Sequence, residues 1–216
     1  MDNDIYSQKM GNIKKGVKTL FIVSMIMALA TFVMLICFNF AGVFSIKTIA
    51  GTKYENGFTY PGWQAIFFGM GEMMIQGYTE FSFDIWTCIG LFLPFFAILV
   101  CSIIYLNNAS KKGTNKKKAI LEIVMGVSIL IGVILLFNCD LLTIENAKNV
   151  TGSYQNYYEE YLLKALNGEE YFRKEAYPTI LLIVGIITAL IKFANAGLLI
   201  YQKKFALANR PSKETK

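Results

Sequence analysis

Histidine is absent from all 216 residues, which removes the commonest general base and the commonest metal ligand. There is no Gly-Lys-Ser/Thr loop to cradle phosphates and no Gly-x-Ser-x-Gly elbow to expose a nucleophile. The four cysteines, Cys37, Cys88, Cys101 and Cys139, stand singly with no Cys-x-x-Cys pair, which argues against a thiol oxidase. Charge is also sparse, at 17% against about 25% in soluble domains. No catalytic pair emerges, so the sequence reads as non-enzymatic, with no cofactor and no metal site.

Apolar residue is what the chain has in excess. Hydrophobic residues make up 55%, and mean hydropathy is +0.45. Crossing a hydrocarbon core about 30 Å thick takes about 20 apolar residues. Four stretches reach that length: 17–40, 85–106, 119–137 and 179–201. Leu91 to Ile104 and Ile180 to Ile191 hold no charge at all, whereas a helix of a soluble bundle would show a polar face. The basic lead before the first stretch, Lys14, Lys15 and Lys18, resembles a signal peptide, but the apolar run is longer than a signal core of about 7–15 residues. An uncleaved first span is expected. The fold class is therefore an all-α membrane protein, a four-transmembrane-helix bundle.

Lysines set the orientation, because cytoplasmic segments carry the basic excess. The tail 1–16 and its junction hold Lys9, Lys14, Lys15 and Lys18. The loop 107–118 holds Lys111, Lys112, Lys116, Lys117 and Lys118, and the tail 202–216 holds Lys203, Lys204, Arg210, Lys213 and Lys216. The other two loops, 41–84 and 138–178, carry most of the acidic residues, including Glu159, Glu160, Glu169, Glu170 and Glu175. Both termini are thus expected in the cytoplasm and both long loops outside. The net charge of +6 then reports topology, with attraction to anionic lipid as a secondary reading, rather than nucleic-acid binding.

The outer loops are patterned. In loop 41–84, Val43 to Ile49 alternates loosely and Asn56-Gly57 is a type I′ turn signal, which predicts a small extracellular β-hairpin or sheet. After the Pro61-Gly62 break, Trp63 to Gly69 is apolar but too short to span, so it is expected to be re-entrant, interfacial or buried. Trp63, Phe67 and Phe68 suit the headgroup layer; the alternative is a partner-binding anchor at Trp63 and Phe67. In loop 138–178, Asp140 to Ile144 could add a strand. Ser153 to Leu166 reads as a short helix with an aromatic face of Tyr154, Tyr157, Tyr158 and Tyr161, the expected surface for a membrane or extracellular protein partner. Asn149-Val150-Thr151 fits the glycosylation pattern. Cys37, Cys88 and Cys139 all fall near the outer ends of spans; two of them could pair, but free apolar thiols are the default.

Two charges fall inside spans, Glu122 and Lys192, and antiparallel packing would let them meet near the inner interface with Asn195 beside them. The pair reads as a structural lock or as a proton or cation path. The lack of a second buried acid, and of Gly/Pro-broken helices, favours the lock. Pro94 is a lone kink candidate. Small residues recur four apart at Ser24 and Ala28, Ser128 and Gly132, and Gly185 and Ala189, a spacing that lets helices approach closely.

Four spans, inward termini, a stranded first outer loop and a shorter second one resemble the claudin-like tetraspan plan. That family's first-loop signature is Trp, then Gly-Leu-Trp, then two cysteines; here Trp63 stands alone and the loop 41–84 before Ile85 holds no cysteine, so no residue role or junction activity is carried over. The segment Gly62 to Gly69 is similar to one in uncharacterised four-span proteins of low-GC Gram-positive bacteria, a resemblance of eight residues that brings no function. Among the 21 basic residues only Arg173 and Arg210 are arginine, a bias that matches such AT-rich genomes and places the chain in a plasma membrane. The leading expectation is an accessory or scaffolding membrane protein acting through its extracellular loops. The alternative is a small transporter or channel subunit using Glu122 and Lys192, which would need a homo-oligomer to enclose a polar path. An intramembrane enzyme ranks third.

Overall fold

The structure is a computed structural model that describes residues 3–46, 58–67, 84–108, 115–139 and 172–208. Four long helices dominate it: α1 (Asn3–Phe38), α3 (Ile85–Asn107), α4 (Asn115–Phe137) and α5 (Ala176–Ala208). All four are long and apolar enough to cross a membrane. At 1.5 Å per residue, the 23 residues of α3 and of α4 give about 35 Å, close to one hydrocarbon thickness plus its borders. α1 and α5 are longer, 36 and 33 residues. Both continue past the apolar run at the lysine-rich end of the bundle. There Tyr6 stacks on Phe205 with ring centres 5.6 Å apart and Met10 is buried, so the extra turns support each other.

The helices close a ring. α1 packs on α5, α5 on α4, and α4 on α3. The circuit returns from α3 to α1 through two stacked aromatic pairs, Phe21 with Tyr105 and Phe32 with Phe95, each with centres 4.6 Å apart. Glycines make the close crossings. A Cβ on Gly132 of α4 would meet the Pro94 ring, and Gly90 O of α3 at 2.7 Å, so α3 and α4 touch almost backbone to backbone there. Pro94 sits inside an unbroken α3 and is buried by that contact. Gly185 of α5 faces Val133 in the same way.

At the opposite end a three-stranded sheet caps the bundle, in the order β2-β1-β3. Strand β1 (Gly42–Ile46) pairs antiparallel with β2 (Phe58–Pro61) and with β3 (Phe172–Lys174). Phe44 lies opposite Tyr60 on one side and Lys174 on the other. The segment 47–57 that joins β1 to β2, with the Asn56-Gly57 signal, lies outside the described residues, as does Asp140 to Ile144. A short helix, α2 (Gly62–Phe67), follows β2 and tucks Ala65 and Ile66 into the core. Gly62 has to be glycine for this, since a Cβ would collide with Phe38 O and its ring.

Candidate functional site

The polarity of the bundle is reversed relative to a soluble protein. Its outside carries large aliphatic and aromatic side chains such as Ile26, Leu29, Phe96, Ile134, Ile183 and Leu190. Its inside holds Ser24, Thr31, Glu122, Thr188, Lys192 and Asn195, all at 0% exposure. Water would penalise that outside, and lipid favours it. The molecule is a multi-pass, four-span membrane protein in class. No family model, no curated protein and no solved structure matches the chain.

The interior polar groups gather around Glu122 on α4. Lys192 Nζ of α5 lies 3.1 Å from Glu122 Oε2. Ser24 of α1 donates to the same oxygen at 3.0 Å, and Asn195 Nδ2 donates to Oε1 at 3.0 Å. One carboxylate thus joins three helices, including α1, which stands diagonally across the ring from α4. The sequence placed Glu122, Lys192 and Asn195 as neighbours; it marked Ser24 only as a small packing residue. The signal for Ser24 was its spacing, because Ser24, Ala28, Thr31 and Leu35 share one buried face of α1. Among the described residues, Asn195 Oδ1 is buried without a hydrogen-bond partner and Lys192 Nζ has the ion pair alone. Nearer the sheet, Thr31 and Thr188 hydroxyls lie 2.9 Å apart and add a second polar tie between α1 and α5.

The sheet end is bonded to the helices at each junction. Tyr177 OH, in the first turn of α5, donates to Met34 O of α1 at 2.7 Å. Lys174 Nζ of β3 donates to Phe137 O at the end of α4 at 2.7 Å and lies 3.8 Å from the centre of the Phe137 ring. Asp84 caps α3: its carboxylate accepts from Trp86 N at 2.9 Å and Thr87 N at 3.2 Å, and its own N–H donates to Ile66 O of α2 at 2.8 Å. Lys174 thus ties β3 to α4, Asp84 ties α2 to α3, and Tyr177 ties α5 to α1 beneath the sheet.

Of the predicted partner surface, Trp63, in the first turn of α2, is 39% exposed. It has company that sequence reading did not single out, Phe40 at 80% and Trp86 at 54% exposed, a level of aromatic rings of the kind that lines membrane–water boundaries. The side chain of Phe67 and all of Tyr154, Tyr157, Tyr158 and Tyr161 lie outside the described residues. Cys37, Cys88 and Cys101 are free thiols; Cys37 is exposed, and Cys101 and Cys139 are buried.

Proposed function

We propose that this chain is a non-enzymatic plasma-membrane protein that serves as an accessory or scaffolding component, with both termini cytoplasmic and the sheet outside. The lysine asymmetry supports the orientation. One observation carries the functional reading: β1 follows directly on α1 and β3 runs directly into α5, β3 is bonded to the end of α4 through Lys174, and α2 is bonded to the cap of α3 through Asp84, so the bundle acts as a rigid mount for whatever the long loops present. A transporter needs helices that exchange partners around its site. Here the only charged pair described inside the spans locks three helices together instead.

The test is isolation of the tagged protein from its native membrane in mild detergent, with particle mass and identification of what accompanies it. A defined partner that is lost when Tyr157, Tyr158 and Tyr161 are changed to Ser supports the accessory role and locates its surface. A homo-oligomer with nothing attached, together with a proteoliposome flux abolished by Glu122→Gln, would replace this reading with transport.

A further inference from the structure

At the lysine-rich end, a cavity of about 720 Å³ opens between the first turns of α1, the start of α4 and the last turns of α5. Lys14 and Lys203 line it together with Asn115, Gln202, Ser7 and Tyr6. Among the described residues, none that lines it is a carboxylate. Asn115 Nδ2 donates to Gln202 Oε1 at 2.9 Å, which fixes both amides at the wall between α4 and α5. The stacked Tyr6 and Phe205 rings tie the α1 and α5 walls together, so the cavity has a defined shape.

Its depth relative to the bilayer is set by the apolar runs. Lys14 precedes Val17, where the first run begins, and Lys203 follows Tyr201, where the last one ends. At 1.5 Å per residue, both lysine backbones lie within about 5 Å of the hydrocarbon boundary. That is the level of lipid phosphates. Tyr6 and Ser7 lie further out, about 15 Å from the same boundary by the same rise, where a headgroup extends towards water. α4 also begins at Asn115 and turns the positive end of its dipole to this side, an addition to the two ammonium groups.

We propose that this cavity is a binding site for an anionic glycerophospholipid, its phosphodiester between Lys14 and Lys203 and its hydroxylated headgroup reaching the Asn115, Gln202 and Ser7 side chains. The site is independent of any protein partner at the sheet end. It differs from diffuse attraction of a basic surface to an anionic leaflet because two particular lysines, and not their neighbours, converge on one cavity. It differs from a free phosphate site because the lysines stand at the membrane boundary.

The experiment uses the full-length protein in a neutral detergent, with lipid binding measured by native mass spectrometry and by the shift in melting temperature. The probes are phosphatidylglycerol, phosphatidylcholine and inorganic phosphate. Phosphatidylglycerol is expected to bind and stabilise, with phosphatidylcholine and inorganic phosphate doing so far less. The double variant Lys14→Gln/Lys203→Gln should bind phosphatidylglycerol roughly 100-fold more weakly, about tenfold for each charge-assisted lysine–phosphate contact. Lys9→Gln/Lys204→Gln removes the same charge from the same two helices outside the cavity, where salt screens it, and its affinity should fall no more than about twofold. Equal loss in both double variants would reduce the effect to general surface charge and overturn the site. Equal stabilisation by phosphatidylcholine would overturn the anion requirement. Stabilisation by inorganic phosphate that matches phosphatidylglycerol would overturn the lipid as its occupant.

Discussion

Replacing Glu122 by Gln keeps its shape and one oxygen acceptor but removes the charge that faces Lys192. At the observed 3.1 Å, the pair attraction is about 5 kcal/mol for an effective dielectric near 20. Part of this offsets the cost of taking both charges out of water, so the loss on breaking the pair is about 3–5 kcal/mol. The two single changes should not be equal. Lys192 Nζ has no other partner among the described residues, so Glu122→Gln strands a buried ammonium. Lys192→Met leaves the carboxylate still accepting from Ser24 and Asn195, so its cost should be lower, about 1–3 kcal/mol, about 1 kcal/mol being retained through each hydrogen bond. The double change Glu122→Gln/Lys192→Met removes both charges and should fall within about 1 kcal/mol of the parent. Reversible unfolding in mixed detergent–SDS micelles, followed by helical circular dichroism, yields the four free energies of the cycle. Single variants as stable as the parent, or a double variant as unstable as the sum of the singles, would refute the lock.

Gly132→Leu should push α3 from α4, because the new side chain lands on Pro94 and Gly90 O; a loss of about 1–3 kcal/mol in the same assay is expected, with Gly197→Leu, at a position where a Cβ meets nothing within 4 Å, as the silent control. Asp84→Ala removes the carboxylate that accepts from the Trp86 and Thr87 backbone N–H groups and from the Thr87 hydroxyl at a buried cap, and should cost about 2 kcal/mol and raise amide exchange at Trp86 and Thr87. Thr31→Val with Thr188→Val deletes one interhelical hydrogen bond from each partner at once; the expected cost is only about 0.6 kcal/mol, and a loss of several kcal/mol would mean that the hydroxyls do more than tie α1 to α5.

Long-range partnership divides what was legible in the sequence from what was not. Apolar runs near 20 residues leave few alternatives, so the four long helices could be read directly. The turns of α1 before Val17 could not, because they are held by Tyr6 on Phe205, a contact between opposite ends of the chain. Strand β3 has only three residues, Phe172 to Lys174, and no alternation to read; it is a strand because β1 offers it an edge. The segment from Gly62 was too short and too apolar for its period to decide among re-entrant, interfacial and buried placements. Its structure is set by Phe38, which leaves room for a glycine and nothing larger. In the polar cluster, charge in an apolar run singled out Glu122 and Lys192 by cost alone. A serine carries no such cost, and its part at Glu122 appears only once the rotation of α1 is known.

That rotation bears on why a charged cluster sits in this bundle at all. In lipid, an apolar side chain gains little by leaving the hydrocarbon for another helix, so aliphatic surfaces distinguish poorly between one packing and a slid or rotated one. Glu122 supplies the discrimination. A rotation of about 100° in α1, one residue step, would carry Ser24 off the interior and leave Oε2 with the lysine alone. A one-turn slide of α5, about 5.4 Å, would separate the pair and leave Lys192 and Glu122 each uncompensated. The glycine contacts then set how close the helices come: Gly132 on Pro94 for α3, and Gly185 on Val133 for α5. Polar bonds choose register and small residues choose distance. The same two controls fix where α1, α4 and α5 emerge at the far end, and therefore bring β1 and β3, which leave α1 and enter α5, into hydrogen-bonding range. The sheet depends in this way on a cluster buried near the other end of the bundle, so that the cost of Glu122→Gln should be felt at β1 and β3 as well as inside the spans.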